Sequence, residues 1–282
     1  MGRVSALAHF TARDGARISF SDEGAGRPVL LLHGMMAHGR FFNKQRPLSA
    51  DFRLVTVDLR GHGASDKAGA ATVEMLAGDI AELIERLDLR GAIGIGWSLG
   101  AAVLWRLLAG EGKARFAGAI IVDMTPRVLN GGDWTLGLSP EMCDARHQAM
   151  TDDFPSFALA AGSAIFAQPV KEEHQALAAW AGAEFARNDG GAIASIWASL
   201  VAEDLRALLP RIAHPTLVVH GAHSQLYGSA TAEHLVAALP DARAIPFPQS
   251  GHAPHLEEPE RFNALVCEFA ASLPPVFQTQ SA

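Results

Sequence analysis

The chain has only two cysteines in 282 residues, no basic cluster and no long apolar run. Cys143 and Cys267 cannot staple a framework, so the fold must rest on an apolar core. A reducing, cytoplasmic setting is expected. A net charge of −7 with no Lys/Arg-rich stretch gives no reason to expect a nucleic-acid partner. No stretch reaches the ~20 apolar residues of a membrane span. The first ten residues lack the apolar centre of a signal peptide, so no membrane association is expected. No His-Glu-x-x-His, Cys-x-x-Cys or Gly-x-x-x-x-Gly-Lys run occurs. Gly24-Ala25-Gly26 is a short turn without the helix that dinucleotide binding needs. No metal and no cofactor are expected. No repeat is visible, and the residues from 274 onward read as a polar tail.

What is present is a strand-to-helix rhythm. Residues 8–11 and 17–21 read as a hairpin around Asp14-Gly15. Residues 29–32, 52–57, 91–95, 116–122 and 216–219 are apolar runs without alternation, the pattern of strands buried on both faces of a parallel sheet. Residues 72–87 carry a helical stripe of Val73, Leu76, Ile80, Leu83, Ile84 and Leu87, with Thr72 as N-cap. Residues 231–238 and 259–272 read as helices and 242–247 as a short strand. This alternation implies an α/β fold.

The interval 124–210 breaks the rhythm. It has no buried-strand run, is rich in alanine and carries scattered aromatics. Helices are expected over 139–150, 153–167, 171–187 and 192–209. The expected organisation is a core of residues 1–123 and 211–282 with a helical cap of residues 124–210. The cap would sit over the carboxyl ends of the strands, where open α/β sheets bind ligands.

One pentapeptide carries chemistry on its own. Gly96-Trp97-Ser98-Leu99-Gly100 lies between an apolar strand run and a helical run. A serine at such a bend stands out on strained backbone, and glycines on either side let strand and helix approach. The helix start offers free N–H groups and a partial positive charge, which suits a nucleophile that must carry an oxyanion.

Together with this elbow, His33-Gly34, the stretch Asp58-x-Arg60-Gly61-x-Gly63-x-Ser65, and Ser250-Gly251-His252 with its continuation to Phe262 resemble the α/β-hydrolase superfamily. The resemblance runs over about residues 10–273, and the motifs occur in the family's order. The elbow is similar to that of the pimeloyl-ACP methyl ester esterase group. The resemblance implies a mostly parallel eight-stranded sheet with helices on both faces and a helical cap inserted after the sixth strand. It also implies Ser98 as nucleophile and His252 as base. The oxyanion would be held by the backbone N–H groups of Met35 and Leu99. Met36 and Trp97 are candidate pocket wall, and Asp58 and Arg60 are read as structural. His255 is the nearest rival to His252.

The acid departs from the family's usual pattern. Its common place follows the strand ending at His220-Gly221, where this chain reads Gly221-Ala222-His223-Ser224 with no carboxylate through Ala232. A hydroxyl cannot replace a charge beside an imidazolium. Asp123, at the end of the preceding strand, is therefore assigned as the orienting acid, as in some family members. Ser224 is its auxiliary and Glu233 a weaker choice. The expected activity is cleavage of a small-molecule carboxylic ester through an acyl-serine. Lactone, thioester or carbon–carbon bond hydrolysis and acyl transfer use the same groups. A catalytically silent ligand-binding member of the fold is the reading from another class.

Overall fold

The structure is a computed structural model that describes residues 7–67 and 69–275. Most of the expected polar tail and residues 1–6 lie outside the described residues. Eight strands form one sheet: β1 (Ala8–Thr11), β2 (Arg17–Glu23), β3 (Arg27–Leu32), β4 (Phe52–Asp58), β5 (Ala92–Trp97), β6 (Phe116–Val122), β7 (Thr216–Gly221) and β8 (Ala242–Phe247). Their order is β1-β2-β4-β3-β5-β6-β7-β8. The β1–β2 and β2–β4 pairs are antiparallel, and every later pair is parallel. The uninterrupted apolar runs account for this. All six residues of β5 are buried, and β3 and β6 are nearly so, as strands covered on both faces must be.

Two glycines reveal the two layers. A Cβ on Gly94 of β5 would meet the Leu104 side chain of α2 (Leu99–Ala109) at 2.6 Å. A Cβ on Gly118 of β6 would meet Phe269 of α9 (Pro259–Ser272) at 2.7 Å. Gly94 lies opposite Ala119, the neighbour of Gly118, so the two glycines point to opposite faces. Helices α2 and α9 therefore cover opposite sides of the sheet. Helix α1 (Val73–Arg86) packs beside α2, and the Thr72 hydroxyl caps it by accepting from the Met75 N–H at 3.2 Å.

Between β6 and β7 the chain forms α3 (Pro140–Asp152), α4 (Phe154–Ala164), α5 (Glu172–Phe185) and α6 (Gly190–Ala202). Gly162 of α4 and Gly182 of α5 cross so closely that a Cβ on the first would lie 2.1 Å from the second's nitrogen. The last expected helix, over 192–209, is split. Helix α6 starts earlier because Asp189 caps it, accepting from the Ala192 N–H at 2.8 Å. It ends at Ala202 because Asp204 pairs with Arg127 in an isolated bridge, and a separate 3₁₀ turn covers Arg206–Arg211. After β7 come α7 (Ser229–Ala238), then β8, the single-turn α8 (Pro254–Glu257) and α9. Among the described residues no helix is long and apolar enough to cross a membrane, and both cysteines are free.

Candidate active site

Ser98 joins β5 to α2 with φ 52° and ψ −118°, a conformation that L side chains rarely adopt. Local packing enforces it. The Ser98 N–H donates to the Val122 carbonyl at 3.0 Å, so the bend is tied to the tip of β6. A Cβ on Gly100 would lie 2.1 Å from the Leu32 carbonyl oxygen, and one on Gly96 would lie 2.6 Å from the Gly100 oxygen. Both glycines are thus required by backbone contact, as the elbow pattern predicts. Among the described residues the Ser98 hydroxyl has no hydrogen-bond partner, and Ser98 lines a cavity of about 470 Å³.

His252, 3 % exposed, lines the same cavity and follows β8 on a short loop. Its Nδ1 lies 3.1 Å from Asp123 Oδ1. A carboxylate only accepts, so Nδ1 carries the proton and Nε2 of the neutral ring is free to take one. Asp123 is 2 % exposed and sits just past β6 with φ 46°. Its Oδ1 also accepts from Ser224 Oγ at 3.1 Å, and its Oδ2 from the Gly221 N–H at 3.2 Å. Ser224 Oγ in turn accepts from the N–H groups of Leu226 and Tyr227 at 3.3 and 3.4 Å, which leaves its single proton for Asp123. Asp123, His252 and Ser224 therefore form one hydrogen-bonded cluster.

The loop after β3 is held by His33. This ring is fully buried, its Nδ1 donates to the Gly34 carbonyl at 2.7 Å, and its Nε2 accepts from the Leu59 N–H at 2.9 Å. Burial, and then the neighbouring His62, push its pKa well below the ordinary histidine value, so it stays neutral. A Cβ on Gly34 would meet the Trp97 ring and Ser98 Cβ at 3.1–3.2 Å, so this loop lies directly against the elbow. Met35 and Met36 line the cavity. The Met36 carbonyl accepts from the Asn188 amide at 2.7 Å, which pins the loop to the chain just beyond α5. Leu99 is fully buried and opens α2, where a first-turn N–H lacks an intrahelical partner.

These features match what is known of other proteins. A family profile described as "Alpha/beta hydrolase family" matches residues 29–265. The chain belongs to the α/β-hydrolase family. It is 31% identical over 252 residues to a pimeloyl-(acyl-carrier protein) methyl ester esterase of Nitrosomonas europaea, covering 88% of this chain and 97% of that one. It is 28% identical over 261 residues to a putative non-heme chloroperoxidase of Synechocystis, covering 89% and 94%. Among solved structures, an esterase from Exiguobacterium antarcticum superposes with a TM-score of 0.88 at 28% identity, covering 94% of this chain and 99% of that one.

In this α/β-hydrolase several charged residues that look reactive in sequence are structural. Asp58 accepts from the Gly39 and Ala64 N–H groups at 2.7 and 2.8 Å. Arg60 pairs with Asp79 of α1 at 2.6 Å and with Asp14 of the first hairpin at 2.5 Å. His255 is fully buried, packs against Phe42, Trp97 and Phe262, and is pushed down to about 3 by burial and then by His252. It does not line the cavity. Glu233 is exposed on α7.

Two roles were not legible in the sequence. Trp97 lines the cavity, and its Nε1 also donates to the His252 carbonyl at 2.8 Å and so fixes the histidine loop. Glu257 accepts from the N–H of Gly251, just before His252, at 2.7 Å and from Ala167, just past α4, at 2.8 Å. Its position five residues after His252 was the only available signal. Among the described residues no group of three or more His, Cys, Asp or Glu is arranged to hold a metal ion.

Proposed function

We propose that this α/β-hydrolase cleaves carboxylic esters through an acyl-enzyme on Ser98. The observation that carries the reading is the 3.1 Å contact of His252 with the buried Asp123 beside a cavity onto which Ser98 also opens. The esterase names of the Nitrosomonas and Exiguobacterium relatives agree with it.

In this mechanism Ser98 Oγ attacks the ester carbonyl carbon and gives its proton to His252 Nε2. Asp123 stabilises the resulting imidazolium and holds the ring in its tautomer. The N–H groups of Met35 and Leu99 receive the oxyanion. Collapse breaks the bond to the alcohol oxygen, which leaves with the proton from His252. A water then gives a proton to His252 and attacks the acyl carbon. The second tetrahedral species releases the carboxylic acid and returns the proton to Ser98.

Residues 124–210 act as a cap over a core of residues 1–123 and 211–282. Met142, Phe157, Ile165 and Trp197 of that segment line the cavity, so the cap selects the acyl chain. The test is hydrolysis of p-nitrophenyl esters of graded chain length, with fluorophosphonate labelling. Wild type is expected to turn over and to label at Ser98, and Ser98→Ala to do neither. Turnover that survives in Ser98→Ala would refute the nucleophile. The absence of both turnover and labelling in wild type would favour a ligand-binding role.

A further inference from the structure

Helix α3 turns one stripe toward the cavity: Met142, Ala145, Arg146 and Ala149. Their spacing is i, i+3, i+4, i+7, so they share one face of the helix. Arg146 is the one residue of that stripe that carries a charge, and the acids of the same helix, Glu141, Asp144 and Asp152, are all exposed. None of them pairs with it. Elsewhere among the described residues arginines are matched to carboxylates or carbonyls, as in Arg106–Glu203 at 2.6 Å and Arg206–Asp204 at 2.7 Å. The exceptions are Arg243, exposed on β8 at the sheet's edge, and Arg146, half-buried in a cavity wall.

Tyr227 adds an independent feature. It lines the same cavity at 6 % exposure, and among the described residues its phenol has no hydrogen-bond partner. Burial and the Asp123 charge raise its pKa, so it remains a proton donor, and the charge of Arg146 is felt at the same phenol with the opposite sign. The cavity thus offers a guanidinium fork and a phenolic O–H, both unpaired, within largely apolar walls. An anionic oxygen group is the ligand that satisfies both. A guanidinium binds carboxylate or phosphate through two parallel hydrogen bonds, and such bonds strengthen away from water.

We infer that the substrate carries, besides its scissile ester, a carboxylate or phosphate group that Arg146 and Tyr227 bind. This rests on the ester-hydrolase reading above and assigns the substrate class within it. Arg146 is a specificity residue that touches the anion and leaves the reacting carbonyl to Ser98.

The decisive measurement separates binding from chemistry. In the Ser98→Ala protein, calorimetry compares monomethyl adipate with its neutral near-isostere, methyl adipamate. A methyl ester ending in phosphate is run beside them to tell the two oxyanions apart. At least one anionic ligand is expected to bind about tenfold more tightly than the amide, or better. Adding Arg146→Gln should abolish the difference, and Arg146→Lys should keep part of it. In the active enzyme the ratio of kcat/KM for the anionic over the neutral ester should fall in step with Arg146→Gln. Equal or undetectable binding of all three ligands, or a preference that survives Arg146→Gln, overturns the inference. Discrimination in binding with no turnover of any ester would instead sink the hydrolase reading and leave the anion subsite standing.

Discussion

In Asp123→Asn the side chain keeps its shape but loses its charge and half of its acceptor capacity. Two orientations are open to the amide, and each costs something definite. With its oxygen at the Oδ1 position, the bonds from His252 and Ser224 at 3.1 Å are kept, but the NH₂ then faces the Gly221 N–H that now donates at 3.2 Å. A buried donor left unsatisfied in this way costs roughly 1–3 kcal/mol. With the amide reversed, Gly221 is satisfied and the NH₂ faces His252 Nδ1. That nitrogen must then accept, the ring proton moves to Nε2, and Nε2 can no longer take the proton from Ser98. Either way the imidazolium formed during attack loses a negative charge 3.1 Å away. At an effective dielectric constant near 20 that contact is worth on the order of 5 kcal/mol before desolvation is subtracted. The expected result is a fall in kcat of roughly 10²–10⁴, the upper end matching a wrong-tautomer effect. Ser224→Ala removes one neutral donor and should cost about tenfold or less. Steady-state hydrolysis of p-nitrophenyl acetate measures both, with thermal melts as a check on folding. If Asp123→Asn keeps more than about a tenth of wild-type kcat, or loses less than Ser224→Ala, Asp123 does not serve the histidine as proposed.

Two further outcomes concern the framework around the site. The Glu257 side chain is 1 % exposed, and burial raises its pKa from 4.5 to about 7. The native state therefore holds this proton more tightly than the unfolded chain, and the stability it contributes is full below pH 4.5 and is lost as pH rises toward 7. Between pH 5 and pH 8 wild type should lose about 2–3 kcal/mol relative to Glu257→Gln in urea denaturation, and parallel stability curves would contradict this. At Gly100 a Cβ would meet backbone oxygens of Leu32 and His33 at 2.1 and 2.9 Å, so Gly100→Ala should destabilise by about 3 kcal/mol or more. Gly78, exposed on α1 with open space around it, is the control: Gly78→Ala should gain about 0.5–1 kcal/mol, and similar changes at both positions would mean the elbow contact is looser than described.

What could be read from the chain was what depends on near neighbours in sequence. The strands were visible because strands buried on both faces need unbroken apolar runs, and Thr72 because an N-cap acts within three residues. The elbow was visible because its strain and its glycines are local. Tertiary contact hid the rest. Nothing in residues 192–209 says that Asp204 will leave the helix to pair with Arg127. Nothing near Trp97 says that its indole will reach a carbonyl 155 residues away. Arg146 disturbs the stripe of α3, but that stripe acquires meaning only once its face is known to meet a cavity.

The position of Asp123, the proposed acid, follows from how the strand tips are joined. Strands β6 and β7 are parallel neighbours, with Val122 opposite Val219, and adjacent strands lie about 4.8 Å apart. A carboxylate at the end of β6 is therefore one strand spacing from the place after β7 where the family pattern would put it. The backbone reinforces the substitution. The Ser98 N–H donates to Val122, and the Asp123 N–H donates to Val219 at 2.8 Å, so the tips of β5, β6 and β7 are laced together residue by residue. Ser98 and Asp123 are then anchored through consecutive residues, Val122 and Asp123, at the end of β6, and a carboxylate there shares its support with the elbow more directly than one on the loop after β7. Ser224 at that loop position makes the exchange workable: it gives its proton to Asp123 and uses its lone pairs on the N–H groups of Leu226 and Tyr227. The same serine thus fixes the loop that carries Tyr227 and orients the carboxylate facing His252. A change at Ser224 should therefore be felt in anion binding as well as in rate, which distinguishes it from a residue that merely fills the space left by a missing aspartate.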